Sequence, residues 1–515
     1  MSTTAEAPAK PAEQTSGGWG LPLVVLIAGM FMSVLDTSIV NVAIPEMQNV
    51  FGVTADDIEW IATSYTLVLG VVVPASSWLA NRFGMKLVYT AALLAFVAGS
   101  ALCGIAWDLD SMIAFRVIQA IPGGVLPVVT LSMIYQIVPK EKIGTAMGMY
   151  GLGIIVAPAV GPTLGGYLVE YVDWRLIFLI NVPIGVIGAI AAWFLLPRFT
   201  AQPTGRFDVL GFVTIAGGLT ALLLALSEGQ SWGWTSYPTV ILIIVGILSL
   251  VLFVVVELEV KDPLLDVRVF RTWPYTNSLL LISVLSVGLF AALFYIPVYL
   301  QQARGLGAFE AGLVLMPQAL VMAVLMPTAG RIYDRIGARW PAVIGLSIVA
   351  YATYLMRDLT VVTSEGEIVA LLCFRAVGMG LSMMPIMTGG IAAVTPELVG
   401  TASAFNNVAQ RVSAALGLAI LTSFMTINQS QISADRSAMV PSDTPMPSLG
   451  PGADGEMIGT MTAYQQIQTE VYVTSLDNVM IIITWTSALG VVLAFFLRSR
   501  PSTSAGAGSA ADAVH

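Results

Sequence analysis

The sequence carries one histidine, the final residue His515. No catalytic triad, histidine-ligated metal centre or imidazole relay can be assembled from it. Cysteine is almost as scarce. Cys103 and Cys373 both lie inside apolar runs, so neither a disulfide framework nor a thiolate metal site is expected. Charged residues make up 10% of the chain, against roughly 25% in an average soluble domain. The 22 basic and 31 acidic side chains leave a net charge of −9, which speaks against a nucleic-acid partner. No Gly-rich phosphate loop ending in Lys-Ser/Thr is present, so no ATP site and no other cofactor is expected.

Apolar residues fill the space these absences leave. They make up 57% of 515 residues, roughly 290, and the mean hydropathy is +0.85. A bilayer span takes about 20 of them, which allows about fourteen spans. Apolar runs bounded by charge or turn residues fall at 20–45, 57–79, 87–107, 111–136, 143–169, 176–197, 208–228, 237–258, 274–301, 309–332, 340–358, 366–390, 400–425 and 477–497. An all-α polytopic membrane protein follows, with a lipid bilayer as its solvent and no stretch long enough for a large soluble domain. Residues 1–18 are rich in Ala, Pro and Ser and read as a disordered tail. No small-residue cleavage site follows the first run, so a signal peptide is not expected. Residues 499–515 read as a second such tail. The segment 426–476, rich in Pro, Gly, Ser and Gln, reads as a long outer loop whose Gln465–Tyr472 end could form a short helix on the membrane.

Basic residues orient the spans. With the N-terminus in the cytoplasm, the cytoplasmic segments hold Lys10, Arg82, Lys86, Lys140, Lys142, Arg198, Arg206, Lys261, Arg268, Arg271, Arg331, Arg335, Arg339, Arg498 and Arg500. The opposite side receives only Arg175, Arg304, Arg357 and Arg436. An even number of spans then puts both termini inside. The outer segments carry Asp56, Asp57, Glu59, Asp108, Asp110, Glu365 and Glu367, an acidity that plain solvation explains better than a cation-attracting vestibule.

The chain repeats itself. Pro139-Lys-Glu-Lys-Ile-Gly144-Thr-Ala returns as Pro396-Glu-Leu-Val-Gly400-Thr-Ala, and Phe115-Arg116 with Pro127 returns as Phe374-Arg375 with Pro385. Leu79-Ala-Asn-Arg-Phe-Gly84-Met-Lys86 returns as Ile332-Tyr-Asp-Arg-Ile-Gly337-Ala-Arg339. The offsets predict a six-span bundle over 19–198, two additional spans over 199–272, and a second six-span bundle over 273–498. Parallel repeats of this kind belong to rocking transporters with a midplane substrate site.

Ionisable groups inside a bilayer each need a reason, since one at the centre costs about 2.5–3.5 kcal/mol on insertion scales. Asp36, Arg116, Arg375 and Arg411 are such groups. Helical spacing puts Asp36 on a stripe with Ser33, Thr37 and Asn41, and Arg116 on one with Gln119, Gly123 and Gly124. Asn407, Gln410 and Arg411 form a third polar stripe. Depths of roughly 8 Å for Arg116 and roughly 13 Å for Asp36 from the outer edge allow the two to pair. Asp36 is the one carboxylate well inside these runs, and two readings of it stay open: a proton site, or a static ion pair that orients helices. The fifth run carries Gly148, Pro158, Gly161, Pro162, Gly165 and Gly166, which kinks a helix and lets neighbours approach closely.

At these residues the sequence resembles the major facilitator superfamily, in particular its fourteen-span drug:proton antiporters, over nearly the whole chain. Leu35-Asp36-Thr-Ser-Ile-Val-Asn41-Val-Ala-Ile-Pro45 is similar to the first-span motif of that family, and Arg116-Val-Ile-Gln119 to its span-four motif. The resemblance implies a major facilitator fold and a proton-coupling role for Asp36 and Arg116. The Gly148–Gly166 run resembles the family's antiporter helix motif, with Ala157 in place of the usual glycine. The run from Trp174 to Gly185, which includes Phe178, Asn181 and Pro183, resembles a signature of this branch. The family's conformational switch loop is similar to Gly330, Asp334, Arg335, Gly337 and Arg339, complete, and to Arg82, Gly84 and Lys86. In the first copy Ser77 replaces the leading glycine and Asn81 the acid.

Together these readings predict efflux of small amphipathic drugs or toxic compounds in exchange for protons, by alternating access across the cytoplasmic membrane. A dedicated exporter of one endogenous metabolite or lipid is the rival. Candidate cavity residues are Trp60, Tyr65, Phe178, Phe290, Phe294, Tyr295, Met316, Met379 and Met383, aromatic or polarizable side chains suited to amphipathic ligands. A membrane-embedded enzyme is not expected, since no usable histidine and no acidic cluster lies in the spans. Some members of the family resembled work with a periplasmic adaptor protein, so the resemblance admits one as a partner.

Overall fold

The structure is a computed structural model that describes residues 18–199, 205–439 and 453–497. The tails expected at 1–18 and 499–515 lie outside the described residues, Gly18 apart. Fourteen long helices follow in order: α1 (Gly20–Phe51), α2 (Trp60–Phe83), α3 (Met85–Gly104), α4 (Leu109–Ile137), α5 (Ile143–Tyr171), α6 (Leu176–Leu179 continued by Asn181–Leu195), α7 (Val209–Trp232), α8 (Tyr237–Glu259), α9 (Trp273–Val298), α10 (Ala308–Ile336), α11 (Arg339–Leu355), α12 (Glu365–Ile391), α13 (Val399–Met439) and α14 (Ala453–Ala494). Among the described residues, thirteen helical segments are long and apolar enough to cross a membrane. The remaining helix, α11, has 17 residues and runs on into a 3₁₀ turn at Met356–Asp358. Helix and turn together reach roughly 31 Å, the thickness of the hydrocarbon core.

Local chemistry sets the ends of these helices. The Asp108 carboxylate accepts from Ser111 N at 2.8 Å while the Ser111 hydroxyl accepts from Asp108 N at 3.1 Å, a capping box that starts α4. The Ser364 hydroxyl caps α12 and Asp208 caps α7. The two repeated loops turn on Gly84 and Gly337, whose φ values of 86° and 81° only glycine adopts without strain.

Helices α1–α6 pack as one bundle, with α5 against α1 and α4 against α2 and α3. Helices α9–α14 form a second, in which α12 packs on α10 and α11, and α9 on α13. The α7–α8 pair leans through α7 on α2 and α13. Helix α8 touches little besides α7 and exposes Ile241, Ile244, Leu248, Val251 and Val255, as an all-apolar helix facing lipid does. The bundles meet along two seams, α5 on α10 and α2 on α13, and the repeat relates one seam to the other. Glycines bring the first seam close. Gly144 of α5 lies on Gly330 of α10, and a β-carbon at Gly148 would stand 2.5 Å from the Met326 carbonyl oxygen.

The long outer loop expected over 426–476 is a correction. Helix α13 continues to Met439 and α14 starts at Ala453, so only 440–452 remains outside the described residues. The absence of proline from 426–439 and 453–476 lets both helices extend, since Pro441, Pro445, Pro447 and Pro451 are confined to 441–451. At 41 residues α13 is roughly 60 Å long, twice the hydrocarbon thickness, so its end projects well beyond the bilayer. The Gln465–Tyr472 segment is part of the continuous α14 rather than a separate surface helix.

Candidate functional site

Asp36 of α1 and Arg116 of α4 form an ion pair sealed inside the first bundle, 0% and 1% exposed. The other Asp36 oxygen, Oδ1, accepts from Gln119 Nε2 at 3.0 Å and from Asn181 Nδ2 at 3.3 Å. Both amides also donate to Ser100 Oγ, at 2.6 and 3.3 Å. Arg116 Nη1 donates as well to Gln119 Oε1 at 2.8 Å, and its Nε to the Ile61 carbonyl at 3.5 Å. The Tyr65 ring lies under the guanidinium at 3.7 Å, and Phe178 stands at 5.7 Å. Two charges out of water are tolerable only with such complete hydrogen bonding, because desolvation otherwise exceeds their attraction. The cluster draws on α1, α2, α3, α4 and α6. A proton placed on Asp36 therefore disturbs contacts of five helices at once.

Helix α5 links this cluster to the seam between bundles. Its Gly161 and Gly165 lie against Ser38, Ile39 and Val42 of α1, one turn from Asp36, and Gly166 faces Val42 more loosely. Its Gly148 lies against α10 on the other side. Pro158 and Pro162 sit within the same helix, where each removes a backbone donor.

At the end where Lys86, Lys140, Arg331 and Arg339 gather, hereafter the basic end, Asp334 of α10 closes the seam. Its carboxylate accepts from Gly144 N at 2.7 Å, Thr145 N at 3.0 Å and Thr145 Oγ1 at 2.8 Å, the opening residues of α5. An anion on a helix N-terminus gains both hydrogen bonds and the helix dipole. The Tyr135 hydroxyl, donating to the Thr388 carbonyl at 3.2 Å, ties the bundles together near the same end. The last residues of the two repeated loops bond alike: Lys86 Nζ donates to the Leu196 carbonyl and Arg339 Nε to the Leu497 carbonyl, each at 2.7 Å. Arg82 and Arg335 are exposed. At the second seam Asn81 stands in the acid's place, and Ser77 instead packs against Gly400.

The remaining polar stripes behave differently. Asn41 is exposed and does not join Asp36. Arg375, the counterpart of Arg116, is buried and donates to the Gly288 carbonyl at 2.5 Å, with no carboxylate beside it among the described residues. Asn407 donates to the Ser403 carbonyl, while Gln410 and Arg411 are part-buried on α13.

The nine cavity candidates scatter. Tyr65 and Phe178 belong to the ion-pair cluster. Met379 and Met383 are packed into the core of the second bundle, where burial of an apolar side chain accounts for them. Phe290, Met316 and Trp60 are exposed. Phe294 and Tyr295 line a cavity of about 720 Å³ between the far ends of α9, α13 and α14, with Gln302, Gln429, Gln468 and Tyr472.

Ser100, Asn181 and Asp477 escape a reading of the sequence. Ser100 is a lone serine in an apolar helix, a pattern without signal. Asn181 lies inside the Trp174–Gly185 run, and only the fold brings it to Asp36. Asp477 sits at the expected edge of the last span, but α14 extends past it, and its Oδ1 is buried without a hydrogen-bond partner among the described residues.

The chain is similar to known transporters along most of its length. It is 35% identical over 492 residues to the uncharacterized MFS-type transporter YhcA of Bacillus subtilis (strain 168), covering 92% of each chain. It is 29% identical over 421 residues to the lincomycin resistance protein LmrB of Listeria monocytogenes serovar 1/2a, covering 81% of this chain and 89% of that one. Among solved structures, the proton:xylose symporter XylE superposes with a TM-score of 0.59 at 12% identity, over 93% of this chain and 96% of that one. That level of identity speaks for the fold alone. The sequence profile of the Major Facilitator Superfamily matches residues 26–418. This chain, a multi-pass membrane transporter rather than an enzyme, belongs to the Major Facilitator Superfamily.

Proposed function

We propose that the protein exports small amphipathic compounds across the cytoplasmic membrane in exchange for protons, with its basic end and both termini in the cytoplasm. The observation that carries this reading is the sealed Asp36–Arg116 pair, joined through α5 to the Asp334 latch. With the basic end latched, a proton arriving from outside neutralises Asp36, and Arg116 loses its counter-charge. The five-helix cluster then repacks, α5 shifts against α1 and α10, and the latch on its N-terminus opens. Release of the proton to the cytoplasm restores the pair. Relatives named for lincomycin and multidrug resistance support the export direction and an amphipathic cargo.

The driving force is sufficient. One proton gains about 2.3 kcal/mol per 100 mV and about 1.4 kcal/mol per pH unit. Together they sustain roughly a several-hundred-fold gradient of a neutral compound. Purified protein in proteoliposomes with an imposed pH gradient is expected to release protons when lipophilic drugs are added, read with an internal pH dye. A wild-type protein that moves a drug against its gradient with no proton movement would contradict the coupling.

A further inference from the structure

Arg411 is the one intramembrane arginine that makes no hydrogen bond or ion pair among the described residues. It lies twelve residues into α13, about 18 Å from the basic end and close to midplane. A cation at that depth is costly and needs a reason. Arg116 has Asp36, and Arg375 has the Gly288 carbonyl. Arg411 has no hydrogen bond or ion pair among the described residues, and the residue is part-buried, so the donors of its guanidinium are uncommitted. It belongs to the seam helix that packs on α2 and α4, and its electrostatic neighbour is Tyr65, whose ring carries Arg116 on its face.

The carboxylates nearby are already committed or distant. Asp36 is held by Arg116, Gln119 and Asn181. Asp477 of α14 has Asp358 and Arg357 as its charged neighbours, at the opposite end from the latch. The repeat also loses its acid here, because the partner of Arg375 on α9 is a glycine carbonyl where α1 supplies Asp36 to Arg116. The seam helix between the bundles therefore carries a positive charge with no counter-charge among the described residues.

We propose that the exported amphiphile bears an oxyanion, such as a carboxylate, sulfonate or phosphate, and that Arg411 docks it; this rests on the export reading above. A guanidinium offers a planar fork of donors matched to such groups. Charge balance favours the same cargo. One monoanion leaving for one proton entering moves two charges in the direction an inside-negative potential drives, whereas a neutral compound moves one and a monocation none.

The test uses a matched pair, biphenyl-4-carboxylate and biphenyl-4-carboxamide, with the full-length protein. Binding is measured by calorimetry in detergent, and proton flux in phosphatidylcholine proteoliposomes. Wild type is expected to bind the carboxylate at least tenfold more tightly than the amide. Arg411→Gln is expected to bring the ratio within about twofold while amide affinity holds, which shows the fold intact, and Arg411→Lys to retain part of the preference. A wild-type ratio near one, or a preference that survives Arg411→Gln, overturns the proposal. Amide-evoked proton flux without any carboxylate preference would sink the docking role and leave export standing. Arg411-dependent binding with no proton flux would do the reverse. Loss of that binding when phosphatidylglycerol is added assigns the oxyanion to a lipid headgroup and overturns the cargo.

Discussion

Arg116→Met is expected to destabilise the protein by about 3–5 kcal/mol, because it strands an ionised Asp36 in a site with no water to receive it. Asp36 is fully buried, and its remaining partners, Gln119 and Asn181, are neutral amides that cannot balance its charge. The ring contact with Tyr65 is lost as well. Adding Asp36→Asn to the same protein is expected to recover at least half of the loss, since no orphan charge is then left. The non-additivity of the two exchanges measures the pairing itself. Denaturant titration of the detergent-solubilised protein reads both. A single exchange costing under about 1 kcal/mol would mean that the pair relaxes into solvent and is not the sealed site described.

Asp334→Ala is expected to shift the transporter away from the state closed at the basic end. Three charge-assisted hydrogen bonds onto the start of α5 vanish. Each is worth about 1.5–3 kcal/mol, and water replaces part of this once the seam opens. A net change on the order of 3 kcal/mol moves a two-state equilibrium roughly a hundredfold. Ser77 reports this from a distance: it is buried at the other seam, against Gly400, and touches nothing of the latch. In a background with Cys103 and Cys373 replaced by alanine, Ser77→Cys is expected to resist a water-soluble maleimide. Its labelling is expected to accelerate at least tenfold when Asp334→Ala is added. Unchanged labelling would make the latch a local contact that does not govern the closed state.

Much of this arrangement is legible in the sequence because the bilayer leaves few explanations for what it contains. Apolar length alone locates the helices, and the cost of a buried charge singles out Asp36 and Arg116 as groups that need each other. The repeat points to two related seams. Less legible is whatever depends on three-dimensional convergence. Ser100 and Asn181 complete the Asp36 cluster from helices distant in the chain, and no local pattern distinguishes that serine from one that merely packs. The helical projections of α13 and α14 are hidden by composition: Gln, Ser and Thr resemble a loop when averaged over 426–476, although every proline lies in 441–451. The aromatic and methionine candidates scatter for a related reason. Phe178 and Met379 have the composition of a ligand cavity and of a protein core alike, and packing decides between them.

Proton flux through Asp36→Asn tests the coupling of proton to cargo most directly. Purified wild type and mutant, both monodisperse, are reconstituted side by side, and each is assayed for counterflow exchange of a transported drug and for drug-evoked proton release. The mutant is expected to retain counterflow, since an uncharged amide preserves the shape of the cluster, and to lose proton release entirely. Proton release that survives in Asp36→Asn at the wild-type rate would contradict the role of Asp36 and leave the buried pair as a fixed strut between helices.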